Sequence, residues 1–384
     1  MKALHLLTLG FVLLAVSSYA NTNKPYDDTK QPLIIDHNCI NISSVPLEYI
    51  NGAKQKLVIA YGHTSHGSQL ITGMSKLDKF MSGKGYANGT FNYSSDDKNN
   101  TLQLRDNPFD NASDLGNPDR SEWASATRKY LNDKPQVNVI MWSWCGQAGW
   151  ASTSEIDLYL SLMEQLESDF PKVKFVYMTG HLDGSGEEGK LNKNNKRIRE
   201  YCRTNNKILY DFADIESFDP DGKTNYMKLN ANDNCDYTTP GNEDRNWAID
   251  WQNSHTKGLD WYECSVAHSQ DLVGNLKAFA AWWLFARLAG WGDEQSTGIN
   301  QLSVKNLDAK AYASKNAIHF NIDPSEKIVQ TILFDSQGKT IFSSKETLEN
   351  NTIDMNLISS SGLVFYRIIS SSNTKYTGKL MLVR

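Results

Sequence analysis

Between residues 57 and 290, short β-rich apolar runs alternate with stretches of helical period, the pattern of a parallel sheet wrapped by helices. Leu57–Tyr61, Val137–Trp142, Val173–Met178 and Ile208–Phe212 read as strands. The segment after the second strand opens with Ser154-Glu-Ile-Asp, which reads as a capping box, and places Ile156, Tyr159, Leu160, Met163 and Leu166 on one helical face. A second helix is expected over 190–205. A third, over 272–289, is stopped by Gly290 and is apolar nearly all round, so it should be buried. The stretches 83–119 and 217–262 are polar, rich in Asn and Asp and weakly periodic, and read as loop inserts above the sheet. The fold class expected is therefore α/β, a three-layer parallel sheet.

The pattern changes after Gly292. Residues 291–298 have linker composition, and 299–384 read as short alternating strands: a hairpin around Ser336-Gln-Gly-Lys, then Gly362–Ile369 and Lys379–Val383. All ten tryptophans precede this tail. The expected organisation is thus an α/β domain over 21–290, a linker and a small C-terminal β-sandwich. Residues 1–20 have the short basic, apolar and small-residue order of a secretory signal peptide, with cleavage expected after Ala20. No later run reaches the ~18 apolar residues of a transmembrane helix, so an exported chain, secreted or at the cell surface via the periplasm, is expected.

Composition narrows the partners. The 384 residues carry 39 Lys and Arg against 44 Asp and Glu, a formal net charge of −5, without the basic balance that a nucleic-acid binder needs. The five cysteines, an odd number, leave at least one thiol unpaired; Cys235 and Cys264 flank a loop-like stretch and are the pair favoured for a disulfide. No CxxC spacing suggests a zinc cluster.

In open α/β sheets ligands bind beyond the carboxyl ends of the strands, so the residues that follow each strand carry the most information. Here they are His63-Thr-Ser-His-Gly-Ser68 after the first strand, Trp142-Ser-Trp-Cys-Gly-Gln147 after the second, and His181-Leu-Asp183 after the third. Cys264-Ser-Val-Ala-His-Ser269 precedes the last helix. Single histidines in loops are ordinarily solvated, and loop tryptophans ordinarily pack. Four histidines (63, 66, 181 and 268) arriving at one rim from distant segments are harder to explain as packing, because a buried imidazole needs partners.

These segments resemble the SGNH/GDSL hydrolase superfamily, whose sheet is of the SGNH/flavodoxin-like type. Ser65 stands in the place of that family's nucleophile after the first strand, and His268 in that of the histidine before the last helix. Gly146 and Gln147 lie near its oxyanion-binding block. The resemblance implies Ser65, His268, Gln147 and Gly146 as catalytic residues; His63, His66, His181, Trp142, Trp144 and Asp183, on the same rim, are expected to contact substrate. The sequence departs from the family's motifs: Ser265 replaces the aspartate of the Asp-x-x-His block, His-Thr-Ser replaces Gly-Asp-Ser, and Trp-Cys-Gly-Gln replaces Gly-x-Asn-Asp. Glu263, Asp260 or Asp214 would then orient His268, and Ser68 is the competing nucleophile, its other role being an N-terminal cap.

The C-terminal 85 or so residues resemble the type A sorting domain of cargo exported by the bacterial type IX secretion system, through the hairpin, the Gly362–Arg367 strand and the basic end, although the Asn-Pro that often opens such domains is missing. Together these resemblances imply a secreted serine-dependent ester hydrolase needing no cofactor, and the aromatic loops and the secretion route point to a carbohydrate esterase, a deacetylase acting on a polysaccharide. Two other assignments use the same residues. His63, His66, His181 and Asp183 would bind a divalent metal in a metal-dependent or His-based lyase or glycosidase. Alternatively Trp142, Trp144, Trp150, Trp247, Trp251 and Trp261 would form the platform of a non-catalytic glycan binder.

Overall fold

The computed structural model describes residues 31–239, 242–292 and 310–382, apart from 315, 323–325, 336–338, 345, 359–360 and 372–374 within the last stretch. The signal peptide expected over 1–20, most of the linker expected over 291–298 and the Ser336–Gly338 turn lie outside the described residues. The chain divides into two units, Met1–Asp293 and Glu294–Arg384.

The first unit is built on a seven-stranded parallel sheet. In chain order its elements are β1 (Leu33–Ile35), α1 (Leu47–Lys56), β2 (Val58–Gly62), α2 (Ser68–Ser82), β3 (Tyr93–Ser94), β4 (Leu102–Asp106), α3 (Glu122–Asp133), β5 (Val139–Trp142), α4 (Gln147–Trp150), α5 (Thr153–Asp169), β6 (Lys174–Met178), α6 (Lys190–Thr204), β7 (Ile208–Tyr210) and α7 (Phe212–Ile215). A two-stranded hairpin, β8 (Asp236–Thr239) and β9 (Asn242–Asn246), then α8 (Trp247–Ser254) and α9 (Asp271–Leu288) complete it. The sheet runs β1-β7-β6-β5-β2-β4-β3, every pairing parallel.

Strand side chains alternate between two cores because successive Cβ atoms point to opposite faces. Ile59, Tyr61, Val139, Met141, Val176, Met178 and Tyr210 meet α1, α2 and α9. Ala60, Ile140, Trp142, Phe175, Tyr177 and Leu209 meet α3, α5 and α6. Burial on both faces is why these strands read as continuous apolar runs. The face chosen for α5 is the buried one, Ile156 to Leu166. Its cap is two residues earlier than read: Ser152 is the N-cap and exchanges hydrogen bonds with Glu155, so Ser154 lies inside the first turn.

The inserts are corrected as well. The stretch 83–119 supplies β3 and β4, two further parallel strands at one edge of the sheet, and β1 adds a third at the other. The stretch 217–262 holds the β8–β9 hairpin and α8. The Cys235–Cys264 disulfide is not formed. All five cysteines are free; Cys235 Sγ faces Ser269 Oγ at 3.6 Å, and Cys264 Sγ faces Asn275 Nδ2 at 3.6 Å.

The second unit contains β10 (Lys310–Ala313), β11 (Ala317–Asn321), β12 (Ile328–Phe334), β13 (Thr340–Ser344), β14 (Thr352–Asp354), β15 (Gly362–Ser370) and β16 (Lys375–Leu382). They form antiparallel sheets of order β10-β11-β14 and β13-β12-β15-β16. Ile318 and Phe320 of the smaller sheet share one core with Leu333, Val364, Tyr366, Ile368 and Leu380 of the larger.

Candidate active site

The loops after β2, β5 and β6 and the segment before α9 meet beyond the carboxyl ends of the central strands. Strand order reverses between β2 and β5: β4-β2-β5-β6-β7 is the 2-1-3-4-5 order, whose ligand crevice opens at that junction. Gly67 fixes how closely the two loops pack, since a Cβ there would lie 2.1 Å from Ser143 Oγ and 2.5 Å from His63 Cβ. Asp114, 1% exposed, ties the loops together: it accepts from Thr64 Oγ1 at 2.5 Å, the Gly116 amide at 2.8 Å and Gln147 Nε2 at 3.1 Å.

Ser65 and His268, 203 positions apart, are in direct contact, with Oγ 2.5 Å from Nε2. Ser65 has a backbone φ of +22°, and His268 and Ser265 have φ of +59° and +57°, so all three hold the left-handed conformations that favour glycine. The loop carrying His268 is pinned at both ends. Asp271, at the start of α9, accepts from the amides of Cys264 and Ser265 at 2.9 and 2.6 Å. Gln69 of α2 donates to the Ala267 carbonyl at 2.6 Å.

Beneath lies a buried network that sequence reasoning did not single out. Lys277 of α9, fully buried, donates to Gln69 Oε1 and to Glu216 Oε2 at 2.5 Å. Glu216 in turn accepts from the Leu182 amide at 2.5 Å. One buried ion pair thus anchors the His268 loop and the His181 loop together.

Three imidazoles stack in a column. His181 and His66 lie 3.6 Å apart with planes 3° from parallel, and His66 and His268 are 4.6 Å apart at 18°. His181 Nδ1 faces the Leu182 carbonyl at 2.7 Å, leaving a buried Nε2 without a hydrogen-bond partner among the described residues. Burial lowers its pKa. His66 is held differently, with Nε2 2.9 Å from Asp233 Oδ2 and Nδ1 3.4 Å from Cys145 Sγ. Burial opposes charging His66, but these two partners outweigh it and hold its pKa up at about 9. Asp233, in the turn before β8, is the residue the sequence hid: the 217–262 stretch is so rich in Asp and Asn that none stands out.

Several other expected members of the site are committed to partners of their own. His63, 5% exposed, is bound through Nε2 to Asp106 Oδ1 at 2.6 Å, at the end of β4. The carboxylate of Asp183 is used locally, accepting from the Ser185 amide and hydroxyl at 3.0 and 2.5 Å. Trp142 and Trp144 are core residues, 1% and 2% exposed, donating to Thr127 Oγ1 and the Met178 carbonyl. Trp247 is buried too, whereas Trp150 is 73% exposed and borders Gly146. Gln147 is committed on both sides, accepting from the Cys145 amide at 2.9 Å and donating to Asp114, so it braces the loop. Gly146 is the N-cap of α4. Ser68 donates to the Ser65 carbonyl at 2.6 Å.

None of the three proposed acids reaches His268. Glu263 pairs with Lys257, Asp260 accepts from the Thr256 amide, and Asp214 binds His37 at 2.5 Å. The four residues grouped as metal ligands do not converge. His66, His181 and Asp233 do offer donor atoms within 4.8 Å of one another. The His66 and His181 rings are near-parallel, and His66 Nε2 is hydrogen-bonded to Asp233.

No family model and no curated protein matches this chain. Among solved structures, the crystal structure of an engineered protein aligns over 92% of this chain and 100% of its own, at 8% identity and a TM-score of 0.21, too low to bear on fold or function. No helix among the described residues is long and apolar enough to cross a membrane.

Proposed function

We propose that the first unit is a serine hydrolase of SGNH-like type that removes acyl groups, acetyl above all, from a polysaccharide. The observation that carries this reading is the 2.5 Å contact between Ser65 Oγ and His268 Nε2 at the junction where strand order reverses. A serine hydroxyl becomes a competent nucleophile when an imidazole takes its proton. His268 takes it as Ser65 attacks the acyl carbonyl, then returns it to the departing sugar hydroxyl. Water releases the acyl group by the same route. The backbone amides of Ser65 and Gly146 are the proposed donors to the oxyanion. No carboxylate hydrogen-bonds His268 among the described residues, so the pair acts as a dyad, its ring oriented by stacking on His66 and by the Gln69 and Asp271 anchors.

The polysaccharide is supported by Trp150, whose exposed indole borders Gly146 and offers a flat apolar face to a pyranose ring. Export and attachment at the cell surface follow from the leader and the tail and belong to the same proposal. The test is acetate release from acetylated xylan, whose sugar alkoxide is too poor a leaving group for a thiol nucleophile. Ser65→Ala is expected to lower kcat at least ~10³-fold with an unchanged melting temperature; full retention of turnover in the folded variant overturns the assignment.

A further inference from the structure

Cys145 lies in the same cleft without a part in that dyad. It follows β5, the strand paired with the β2 that leads to Ser65, and is half-buried. Its sulfur is 3.4 Å from His66 Nδ1, and the opposite ring nitrogen meets Asp233 Oδ2 at 2.9 Å. A thiol, an imidazole and a carboxylate stand in line, each bonded to the next, contributed by segments 79 and 167 positions from His66. The other four thiols have no such neighbours: Cys39 faces the Ile34 carbonyl, Cys235 Ser269, Cys264 the Asp271 carbonyl and Asn275, and Cys202 is fully buried in the core.

We propose that Cys145, His66 and Asp233 form a second nucleophile–base–acid relay, and that Cys145 accepts acyl groups from thioesters and activated aryl esters. The direction of every titration agrees with the geometry. The hydrogen bond from His66 lowers the Cys145 pKa against the effect of burial. Asp233 is also lowered, burial opposing and His66 prevailing. In contrast, burial raises Cys39 to about 11 and Cys235 and Cys264 to about 12. The titratable groups facing the pair from neighbouring segments are Asp233, His181, His268 and the more distant Glu216.

In the acyl step the thiolate attacks the carbonyl carbon and an S–C bond forms. The bond from carbon to the leaving oxygen or sulfur breaks, and His66 gives its Nδ1 proton to that group. The products are S-acyl Cys145 and a free alcohol or thiol, with His66 neutral and still bonded to Asp233. Water hydrolyses the thioester as His66 takes a proton back. Thioesters and aryl esters are the fitting class because their leaving groups are about as good as the thiolate itself.

The test is alkylation by iodoacetamide between pH 5 and 10, mapped by peptide mass spectrometry, in wild type, His66→Gln, Asp233→Asn and Ser65→Ala. An ordinary thiol is only about 0.3% thiolate at pH 6. Cys145 is expected to react there at least tenfold faster than such a thiol and than any other cysteine of the chain. His66→Gln should remove that advantage, and Asp233→Asn should reduce it. Ser65→Ala should leave it intact, so failure of the serine assignment and failure of this one are told apart. In the Ser65→Ala protein, S-phenyl thioacetate should deposit an acetyl group on Cys145. A Cys145 midpoint near that of a free thiol, indifference to both His66→Gln and Asp233→Asn, or no S-acetyl adduct overturns the relay.

Discussion

His181, His66 and His268 stack within one column, yet the first two are pushed in opposite directions. His181 has one carbonyl partner and deep burial, which favour its neutral form. His66 has Asp233 and Cys145, which favour the charged form despite burial. A pKa raised from an ordinary 6.5 to about 9 means that His66 contributes stability in full below pH 6.5 and loses it as pH rises through about 9. Asp233, lowered from 3.8, limits that contribution only at the acid end. Asp233→Asn should therefore lower the melting temperature most between pH 4 and 6.5, and the difference from wild type should vanish by pH 10. A difference that stays constant from pH 5 to 10 would show that the pair is not what titrates. The contrast between His66 and His181 was beyond the sequence, which supplied the imidazoles but not their partners. Ser65 was legible because chemistry concentrates after strand ends, and His268, which precedes α9, because the resemblance to SGNH/GDSL hydrolases suggested a histidine there. Asp233 was not, because an acidic residue in a polar stretch has no pattern of its own.

Among the elements, α2 and α9 set the spacing of the site, since they carry Gln69 and Lys277 and flank Ser65 and His268. They touch backbone to backbone: a Cβ on Gly73 would lie 2.0 Å from the Gly274 carbonyl oxygen. Gly73→Ala must push the helices apart and is expected to cost at least ~2 kcal/mol, measured by chemical denaturation, with activity falling as the Gln69 anchor shifts. Gly52→Ala in α1, where the nearest atom would be Ala289 Cβ at 3.7 Å, should be neutral or stabilising by up to ~1 kcal/mol. Equal effects of the two would refute the close crossing. Periodicity exposed α5, α6 and α9 because each has four or more turns. It missed β1 and β3, of three and two residues, which are too short to show a period. It missed β4 because Gln103 and Arg105 alternate with buried Leu102 and Leu104 at the sheet's margin, and polar alternation reads as loop inside an otherwise apolar domain.

Across the whole molecule, one topological fact organises the rest: an all-parallel sheet whose order reverses between β2 and β5 leaves a crevice that loops from distant parts of the chain must line. Ser65, Cys145, His181 and His268 follow from that placement, whereas Trp142, the last residue of β5, and Trp144, two residues beyond it, both read as substrate contacts, are drawn into the core. The second unit has its own core of β11, β12 and β15 residues. The central claim, that Ser65 is a nucleophile activated by His268, is tested most directly by labelling the folded protein with a fluorophosphonate and mapping the adduct by peptide mass spectrometry. The account predicts a phosphonyl group on Ser65 in wild type and none in His268→Ala. An adduct elsewhere, no adduct, or undiminished labelling without the imidazole would contradict it.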